Sequence, residues 1–446
     1  MTEQASDNKG VLGWYFNVNL LNRILVGLIA GAAIGIFLAM FAPHLVPGFV
    51  DYTKFFGDVF IRLLHMIAAP VIFISLIVGV SSVTPKTLGT VGYKTMIYYL
   101  VTSGIAITIA IVVALILSPG AGMNVVGDGS AAERVAKAPP FSQVLLNIIP
   151  MSPVQALAER QFLPIVFFSI VAGLALGMLR DQKDELGAAA NDAHKVLNVF
   201  AEIMFKIVRG VMQYAPIGVF VLIAHVFAQQ GPRVIGPTLY VLFVFYVAIA
   251  LHWSIGYCGL VKLFGLSPMK FLRGVREASI TAFVTRSSAA TLPVTMRCCT
   301  ENLGVSRPYA SFVLPVGATV NMDGTAIYLC VGAIFIANAI GMTLAPGDYV
   351  TLILIATLGA IGAAGVPGAG AIMMLMVLES MHMPVVAGSA VAVVYALILG
   401  IDALFDMGRT TTNVTGDVAG AGIVGKLENE AGRPIIDLSK WLPENK

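Results

Sequence analysis

The sequence predicts an all-α polytopic membrane protein, and three observations support this prediction. Of its 446 residues, 58% are hydrophobic and only 11% are charged, whereas roughly a quarter of an ordinary soluble domain is charged. Apolar runs at 24–41, 96–118 and 236–256 have the roughly 18 to 20 residues that a helix needs to cross a bilayer. Later apolar runs are interrupted by small residues, hydroxyls and proline. The composition excludes a typical soluble enzyme.

The membrane helices are expected near 20–41, 59–83, 95–118, 162–179, 195–228 and 235–264. The first follows a polar leader and lacks a small-residue cleavage pattern, so we expect a retained helix and no signal peptide. Clustered Gly, Pro and charged residues predict an exposed loop at 119–146 and a short hydrophilic connector at 180–195. The cysteines lack metal or disulfide spacing and are expected to be buried and reduced, at Cys258, Cys298, Cys299 and Cys330.

The distribution of basic residues predicts that both termini are cytoplasmic. With the amino terminus inside, eleven Lys and Arg residues up to Arg276 fall in inside segments and five fall outside, and basic residues near helix ends resist translocation. The basic tail then also lies inside, which requires an even number of crossings. No block of Lys or Arg indicates a nucleic-acid partner, and none is expected.

The last 180 residues contain the same pattern twice. The runs "SITAFVTRSSAATLPVTM" (279–296) and "GAIGAAGVPGAGAIMMLM" (359–376) are broken in the middle, and a broken helix at membrane depth is tolerated only against protein or a water-filled cavity. We therefore predict two re-entrant hairpins. Each precedes an apolar helix with a polar cluster, "NMDGT" in 309–340 and "DMGRTTTNVTGD" in 385–425. Interrupted hydrophobic segments in corresponding positions are typical of transporter sites built from internal repeats.

The second polar cluster forms one face of its helix. At about 100° per residue, all five of its polar members fall within a stripe of about 80°: Asp402, Asp406, Arg409, Asn413 and Asp417. A charge at the bilayer centre costs at least ~2.5 to 3.5 kcal/mol, so these side chains are expected to face a site. A buried structural salt bridge, with Arg409 neutralising Asp406, is the alternative. The excess of carboxylates favours a site completed by cations.

The cluster "NMDGT" offers oxygen ligands from Asn321, Asp323 and Thr325, with Gly324 able to loosen the helix. Hard cations prefer such ligands, and transporters combine them with carbonyls of broken helices to hold sodium. Sodium is favoured over potassium and magnesium, because magnesium keeps its waters and no phosphate-binding loop is present. An ordinary Asn-x-Asp-Gly turn is the alternative, which the long apolar context disfavours.

Arg409 and Asp406 together suit an acidic amino acid. The guanidinium is a planar fork that matches a carboxylate, and Asp406, one turn away, matches an ammonium group. The tip "TRSSAAT" (285–291) supplies hydroxyls and backbone N–H groups for a second carboxylate. Arg286 in this tip either pairs with a carboxylate on a facing helix or extends to the membrane interface. The segment "GAAGVPGAG" (362–370) contributes backbone groups and a lid, or close helix packing.

Other classes of function are less well supported. An ion channel could use the same polar stripe as a pore lining, but two lid-like hairpins argue against an open pore. No Ser/His/Asp constellation or HExxH motif indicates an intramembrane hydrolase, and no enzyme activity is expected. The histidines, including His252, are scattered without ligand spacing and are interpreted as packing or interface residues.

With these residues described, the chain resembles the dicarboxylate/amino acid:cation symporter family over about residues 18–428. The resemblance is densest in "TAFVTRSSAATLPVTMR", "PVGATVNMDGTAIY", "GAAGVPGAGAIM" and "GIDALFDMGRTTTNVTGD". It implies eight transmembrane helices plus two re-entrant hairpins, arranged as inverted repeats. It also implies a homotrimer in the bilayer of the cell (inner or plasma) membrane, in which a mobile domain carries the substrate by an elevator motion.

The resemblance also implies domain boundaries. Scaffold helices 1 and 2 would occupy 1–94, and scaffold helices 4 and 5, with the loop at 119–146, would occupy 119–234. The transport domain would combine helix 3 at 95–118 with residues 235–428. This second part would hold helix 6, hairpin 1 at 268–297, helix 7, hairpin 2 at 347–380 and helix 8. Residues 429–446 would form a cytoplasmic tail.

Substrate-binding and ion-binding residues follow from the same motifs. The resemblance implies substrate contacts from Arg286, Ser287, Ser288, Thr325, Val366, Gly370, Asp406, Arg409, Thr410 and Asn413. It implies three sodium ions per protomer. The first would bind Gly317, Asn321, Asn413 and Asp417; the second Thr319, Met322 and the backbone of 360–363, including Ala360, Ile361 and Ala363; the third Tyr99, Thr102, Ser103, Asn321 and Asp323. No organic cofactor is expected.

Two departures from animal glutamate carriers bear on ion coupling. Met407 replaces their second arginine, with the extra arginine instead at Arg286 as in archaeal aspartate transporters, and Leu329 replaces their proton-carrying glutamate. Both favour sodium coupling without protons or potassium. We therefore expect a sodium-coupled symporter of L-aspartate, with L-glutamate as a second substrate. A C4-dicarboxylate symporter and a proton-coupled glutamate symporter are the alternatives.

Overall fold

A computed structural model of the chain describes residues 18–81, 85–123, 125, 146, 149–363, 365–386 and 388–443. These residues form helices and connecting turns. The first group is α1 (Leu20–Phe41), α2 (Val46–Ser81), α3 (Pro85–Leu117), α4 (Pro153–Ala158), α5 (Phe162–Arg180), α6 (Glu185–Gln230), α7 (Ile235–Leu251) and α8 (Gly259–Leu263). The second is α9 (Pro268–Thr285), α10 (Ser288–Arg297), α11 (Arg307–Val320), α12 (Asp323–Ala339), α13 (Pro346–Gly362), α14 (Ala369–Ser380) and α15 (Ala390–Glu430).

The all-helical membrane class is supported by helix length and composition. Within the described residues, six continuous helical runs are long and apolar enough to cross a membrane. One of these runs, Glu185–Leu263, contains both α6 and α7, separated by a 3-10 turn at Gly231–Val234. The apolar part of α5 is shorter than a typical span. The number of eight transmembrane helices therefore stays a prediction.

Three helices begin earlier than the sequence pattern predicted, and one of them is α3, which starts at Pro85 and not near 95. Helix α2 starts at Val46 and not near 59. Helix α6 starts at Glu185 and not near 195, so most of the hydrophilic connector expected at 180–195 belongs to this helix. The Asp184 side chain caps α6 by accepting a hydrogen bond from Gly187 N (2.9 Å), and such caps begin a helix even in polar sequence. Most of the predicted loop at 119–146 lies outside the described residues.

Both predicted hairpins are present as helix pairs. Helices α9 and α10 pack against each other around a tip at Arg286 and Ser287, and α13 and α14 pack around a tip that includes 365–368. Each pair precedes a helix that carries a polar cluster, but the two helices differ. The segment with "NMDGT" breaks at Asn321 and Met322 into α11 and α12, whereas α15 is continuous through its cluster.

The helices sort into two packed groups. Helices α1, α2, α5 and α6 pack mainly on one another, while α12 packs on α3, α7, the second hairpin and α15. Almost all of α12 is buried, so it lies at the centre of the second group. The assignment of these groups to a fixed scaffold and a moving domain stays a prediction.

Two helices contain π-helical segments that the sequence analysis did not predict. One, His252–Cys258, connects α7 to α8, and the other, Cys298–Asn302, follows α10. In a π-helix the backbone hydrogen bonds join residues five apart, and such segments are frequent at functional sites.

The carboxyl-terminal segment packs against the helices around hairpin 1. Trp441 is fully buried, stacks on Phe271 at a ring-centroid distance of 6.2 Å, and donates from its indole N–H to Leu303 O (2.6 Å). A Cβ atom at Gly422 of α15 would lie 2.2 Å from the indole ring. The end of the chain is therefore part of the packed core between α9 and α15.

Candidate functional site

Helix α15 presents the predicted polar stripe as one buried face. Its five members have exposed fractions of 6% or less: Asp402, Asp406, Arg409, Asn413 and Asp417. Because α15 is unbroken over Ala390–Glu430, the helical spacing inferred from the sequence applies along the whole stripe. Helix α12 packs along this face, and Gly324 allows its close approach, since a Cβ there would lie 2.3 Å from Arg409 O.

A small cavity lies where α12, α15 and both hairpin tips meet. Nine of the ten predicted substrate residues line it: Arg286, Ser288, Thr325, Val366, Gly370, Asp406, Arg409, Thr410 and Asn413. Met322, Ala363, Gly365 and Ala369 complete the lining. The sequence motifs thus converge on one small polar chamber, although they are up to 127 positions apart along the chain (286 to 413).

Arg409 makes its closest charged contacts within its own helix. Its Nη2 lies 2.7 Å from Asp406 Oδ1 and its Nη1 lies 3.5 Å from Asp402 Oδ1. The guanidinium carbon also lies 4.6 Å from the ring centroid of Tyr328, within cation–π distance. The pairing expected for a structural salt bridge is therefore present. The same pair also lines the cavity, so its charged groups are placed where a ligand could contact them.

The tip of hairpin 2 contributes backbone groups, as the sequence analysis predicted for this glycine-rich segment. Gly368 N donates to Asp406 Oδ2 (3.3 Å), and Gly368 has a φ of +83°, in the left-handed region that favours glycine. The guanidinium of Arg409 occupies the position of a missing side chain at Gly370, where a Cβ would lie 1.5 Å from Nη1. Small residues therefore allow this tip to close over the charged pair.

Ser287, the one predicted substrate residue outside the cavity lining, connects the two hairpin tips. Its hydroxyl donates to Gly365 O (2.7 Å) and accepts from Ala290 N (3.2 Å), which caps α10. Ala289 N also donates to Gly365 O (3.3 Å). The two tips are thus joined through a single carbonyl oxygen beside the cavity.

Arg286 shares a cavity with Asp402 of α15, and the two alternatives considered for it stay predictions. It ends α9 with a left-handed φ of +55°, and its side chain lines both the polar chamber and an adjacent, mostly apolar cavity. This second cavity lies between α1, α2, α6 and α15, and Asp402 also faces it. The Nε of Arg286 is buried without a hydrogen-bond partner among the residues that the structure describes.

The residues predicted for the first sodium ion lie close together. Asn321 Nδ2 donates to Asp417 Oδ1 (3.0 Å), and Gly324 N donates to Asn413 Oδ1 (2.8 Å). A Cβ at Gly317 would lie 2.4 Å from Asp417 Oδ1, so only glycine lets this carboxylate approach the α11 backbone. The helix break at Asn321 leaves carbonyl groups of α11 without helical partners. These oxygens fit the ligand chemistry of a hard cation.

The third predicted set also assembles. Ser103 Oγ donates to Asp323 Oδ1 (2.7 Å) and Thr102 Oγ1 to Asn321 Oδ1 (3.3 Å). Tyr99 donates to Val313 O (3.1 Å) beside Gly317. Asn321 therefore belongs to both groups, and the first and third sets are neighbours.

The second predicted set is the least assembled. Thr319 is exposed and donates to Val316 O (2.9 Å) within its own helix. Met322 and Ala363 line the substrate cavity, Ala363 N bonds Ala360 O (3.2 Å), and Ile361 is partly buried in the core. No group of three or more His, Cys, Asp or Glu side chains suited to a metal occurs in the described part of the chain. Any cation here would depend on mixed oxygen ligands.

Sequence reasoning missed three residues that shape this region. The Tyr328 ring lies beneath the Arg409 guanidinium, while His252 and Tyr257 contact Asp323 (3.2 and 3.0 Å). His252 was interpreted as a packing residue. The available signal was its position beside Tyr257 within an apolar run, where polar side chains are rare and functional.

The chain is similar in sequence to known transport proteins. The model of the sodium:dicarboxylate symporter family matches residues 20–427. A "C4-dicarboxylate transport protein" of Rhizobium johnstonii is 34% identical over 96% of this chain and 93% of its own length. "Excitatory amino acid transporter 2" of Rattus norvegicus is 33% identical over 91% of this chain and 78% of its own length. The "C4-dicarboxylate transport protein" of Agrobacterium fabrum is 35% identical over 93% of this chain and 89% of its own length.

Proposed function

Because the chain belongs to the sodium:dicarboxylate symporter family, we propose that it is a sodium-coupled symporter of acidic amino acids, with L-aspartate as the preferred substrate. Proteins of this family are multi-pass membrane transporters and not enzymes. The similar proteins are named for C4-dicarboxylate transport and for excitatory amino acids. The choice between these substrates therefore rests on the residues of the cavity.

The observation that carries the proposal is the pair of Asp406 and Arg409 on one wall of the chamber. A guanidinium binds a carboxylate in a bidentate, charge-assisted manner. When it is ionised, Asp406 accepts hydrogen bonds and donates none, so it suits an ammonium group and repels a second carboxylate. A substrate with an ammonium group and a side-chain carboxylate satisfies both residues. The hydroxyl and N–H groups at Ser288 and the hairpin tips would receive its α-carboxylate.

Sodium coupling is supported by the oxygen ligands at Asp417, Asn321, Asn413 and Asp323. Sodium supplies positive charge that offsets the buried carboxylates of this region when the ion is bound. Asn413 lies in the substrate cavity and also contacts Gly324 of α12. Ion and substrate would thus share one residue, so that binding of either would favour the other. We keep the three predicted ion sites, with the first and third better supported by the geometry.

Transport of a C4-dicarboxylate without an amino group is the second candidate, because similar proteins carry that name. In that case the ammonium partner of Asp406 would be missing. Proton-coupled glutamate transport is disfavoured because Leu329 is a fully buried aliphatic residue at the position implied for a proton carrier.

Uptake into proteoliposomes tests the substrate and the ion together. We expect an inward sodium gradient to drive accumulation of L-aspartate, and we expect succinate to compete weakly. Asp406→Asn should lose aspartate uptake while leaving any succinate uptake intact. Equal aspartate uptake with choline in place of sodium would exclude the coupling, and strong succinate competition would favour the second candidate.

Arg409→Cys tests the carboxylate-binding role. This substitution removes the fork that holds the side-chain carboxylate, so aspartate affinity is expected to fall below detection in a binding titration with sodium present. The variant is expected to bind neutral amino acids instead, because Asp406 still binds the ammonium group. Unchanged aspartate affinity would refute the assigned role of Arg409.

We extend the proposal to assembly and orientation. A homotrimer in the cell membrane, both termini in the cytoplasm and an elevator motion of the second helix group are expected from the family resemblance and the distribution of basic residues. Cross-linking in membranes and labelling of a cysteine placed at each terminus are direct tests of these points.

A further inference from the structure

The Asp323 carboxylate is held by three side chains from two other helical elements. Asp323 is fully buried at the start of α12. Its Oδ1 accepts from Ser103 (2.7 Å), while its Oδ2 lies 3.2 Å from His252 Nε2 and 3.0 Å from the Tyr257 hydroxyl. A carboxylate only accepts hydrogen bonds, so Nε2 of His252 is the donor in this contact. His252 and Tyr257 form what we call the Asp323 clamp.

The π-helical segment explains why these two residues meet one oxygen atom. His252 and Tyr257 are five positions apart, and His252–Cys258 is π-helical. In an α-helix, residues five apart are about 140° apart around the axis, whereas the wider π-turn brings them toward the same face. Their rings lie 4.5 Å apart between centroids at an angle of 68°. The irregular backbone thus builds a two-sided contact on Asp323.

Gly256 makes room for the clamp. A Cβ at this position would lie 2.6 Å from His252 Nδ1, closer than any stable contact. The imidazole is also fully buried, so it has little space to move away. Gly259 lies three positions later. Its ideal Cβ would have one atom of the described structure within 4 Å, Ser254 O at 3.6 Å, which is an ordinary contact. The two glycines therefore differ in their relation to His252.

The clamp reaches α15 as well. The Tyr257 hydroxyl lies 3.0 Å from Thr412 O as well as from Asp323, so its one proton is shared between two acceptors. Trp253, in the same π-segment, donates to Thr412 Oγ1 (3.1 Å). Asn413, which lines the substrate cavity, is the next residue of α15. The clamp therefore contacts the helix that bears the substrate site.

We propose that His252 and Tyr257 are positioning residues that hold Oδ2 of Asp323, so that the side of the carboxylate near Ser103, Thr102 and Asn321 is oriented to bind a sodium ion. This inference rests on the proposed sodium coupling. Residues that orient metal ligands typically change metal affinity by about 10- to 100-fold when mutated. The clamp contributes to ion affinity without itself binding the ion.

Sodium-dependent stabilisation of the purified protein in detergent tests the inference without transport or substrate. Bound sodium raises the thermal midpoint according to its concentration and affinity. His252→Ala is expected to raise the sodium concentration for half-maximal stabilisation by about 10-fold, and His252→Gln, which keeps an N–H donor, to recover part of the loss. Tyr257→Phe, which removes one oxygen atom, should shift it in the same direction.

Gly256→Ala and Gly259→Ala provide the matched pair. The first displaces the His252 ring without removing it and should weaken sodium stabilisation, whereas the second should leave it unchanged. If the variants lower the midpoint equally in choline and in sodium, with the same half-maximal concentration as the parent protein, the clamp is merely structural and the inference is wrong. A parent protein that shows no sodium response would instead overturn the proposed coupling.

Discussion

At the scale of single residues, the position of the Arg409 guanidinium in the substrate site depends on the absence of a side chain at Gly370. A Cβ at Gly370 would overlap Arg409 Nη1, at 1.5 Å. We predict that Gly370→Ala displaces the guanidinium and weakens aspartate binding by about 10- to 100-fold, because a hydrogen-bonded charged contact contributes about 1.5 to 3 kcal/mol. Isothermal titration with aspartate at saturating sodium measures this change.

Gly347→Ala is the control for this prediction. Gly347 also lies in hairpin 2, at the start of α13, but its ideal Cβ has no atom within 4 Å. Its aspartate affinity should match that of the parent protein. Equal affinities for both variants would show that Arg409 does not need the space at Gly370.

Sequence alone could predict residues of the site that share one helix. Asp406, Arg409 and Asn413 follow helical spacing, and their chemistry indicates their partners. Tyr328 and His252 could not be predicted in the same way, because Tyr328 reaches Arg409 from α12 and His252 reaches Asp323 from a π-segment. Their roles depend on how helices pack together, which local periodicity does not encode.

At the scale of elements, the two hairpin tips are joined at Gly365. The Ser287 hydroxyl donates to Gly365 O, and a hydrogen bond of this kind contributes about 1 kcal/mol. We predict that Ser287→Ala loosens the tips, so that a cysteine introduced at Pro367 reacts several-fold faster with a polar thiol reagent. Time courses of labelling in a background without the native cysteines measure the rate.

Ser389→Ala is the matched control for the tip contact. The Ser389 side chain also caps a helix, by accepting from Ala392 N (3.1 Å) at the start of α15. The substitution removes a comparable cap at the start of another helix. Faster labelling in both variants would mean that general destabilisation, and not the tip contact, controls access.

The sequence pattern predicted the hairpins but misplaced the break in the helical segment that follows hairpin 1. Gly324 was expected to loosen the "NMDGT" helix, yet the break lies at Asn321 and Met322, and Gly324 instead lets α12 approach α15. Glycine serves both purposes in membrane helices. Whether a glycine loosens its own helix or allows close packing depends on the helix that lies next to it.

At the scale of the whole molecule, composition was enough to predict a helical membrane protein, but it gave no information on the packed end of the chain. The basic tail was expected only to be cytoplasmic. In the structure Trp441 is fully buried, and Ile436 pairs with Val305 in an antiparallel bridge. This packing depends on partners more than 100 positions away along the chain, such as Leu303, 138 residues from Trp441, which no local pattern reveals.

We predict that Trp441→Ala destabilises the protein by about 3 to 5 kcal/mol, the usual cost of truncating a buried large aromatic side chain. The thermal midpoint in detergent should fall clearly. Leu442→Ala, at a neighbouring position with 39% exposure, should have little effect. A Trp441→Ala midpoint equal to that of Leu442→Ala would contradict the role of the tail in the fold.

The two described tryptophans, Trp253 and Trp441, give the chain built-in fluorescent reporters. The indole of Trp253 is partly exposed and bonded to Thr412 beside the Asp323 clamp, whereas that of Trp441 is enclosed between α9 and α15. Indole emission depends on the polarity around the ring. A rearrangement at the clamp would therefore change the emission of Trp253 against the background of the other two tryptophans, Trp14 and Trp441, and a Trp253→Phe variant would measure that background.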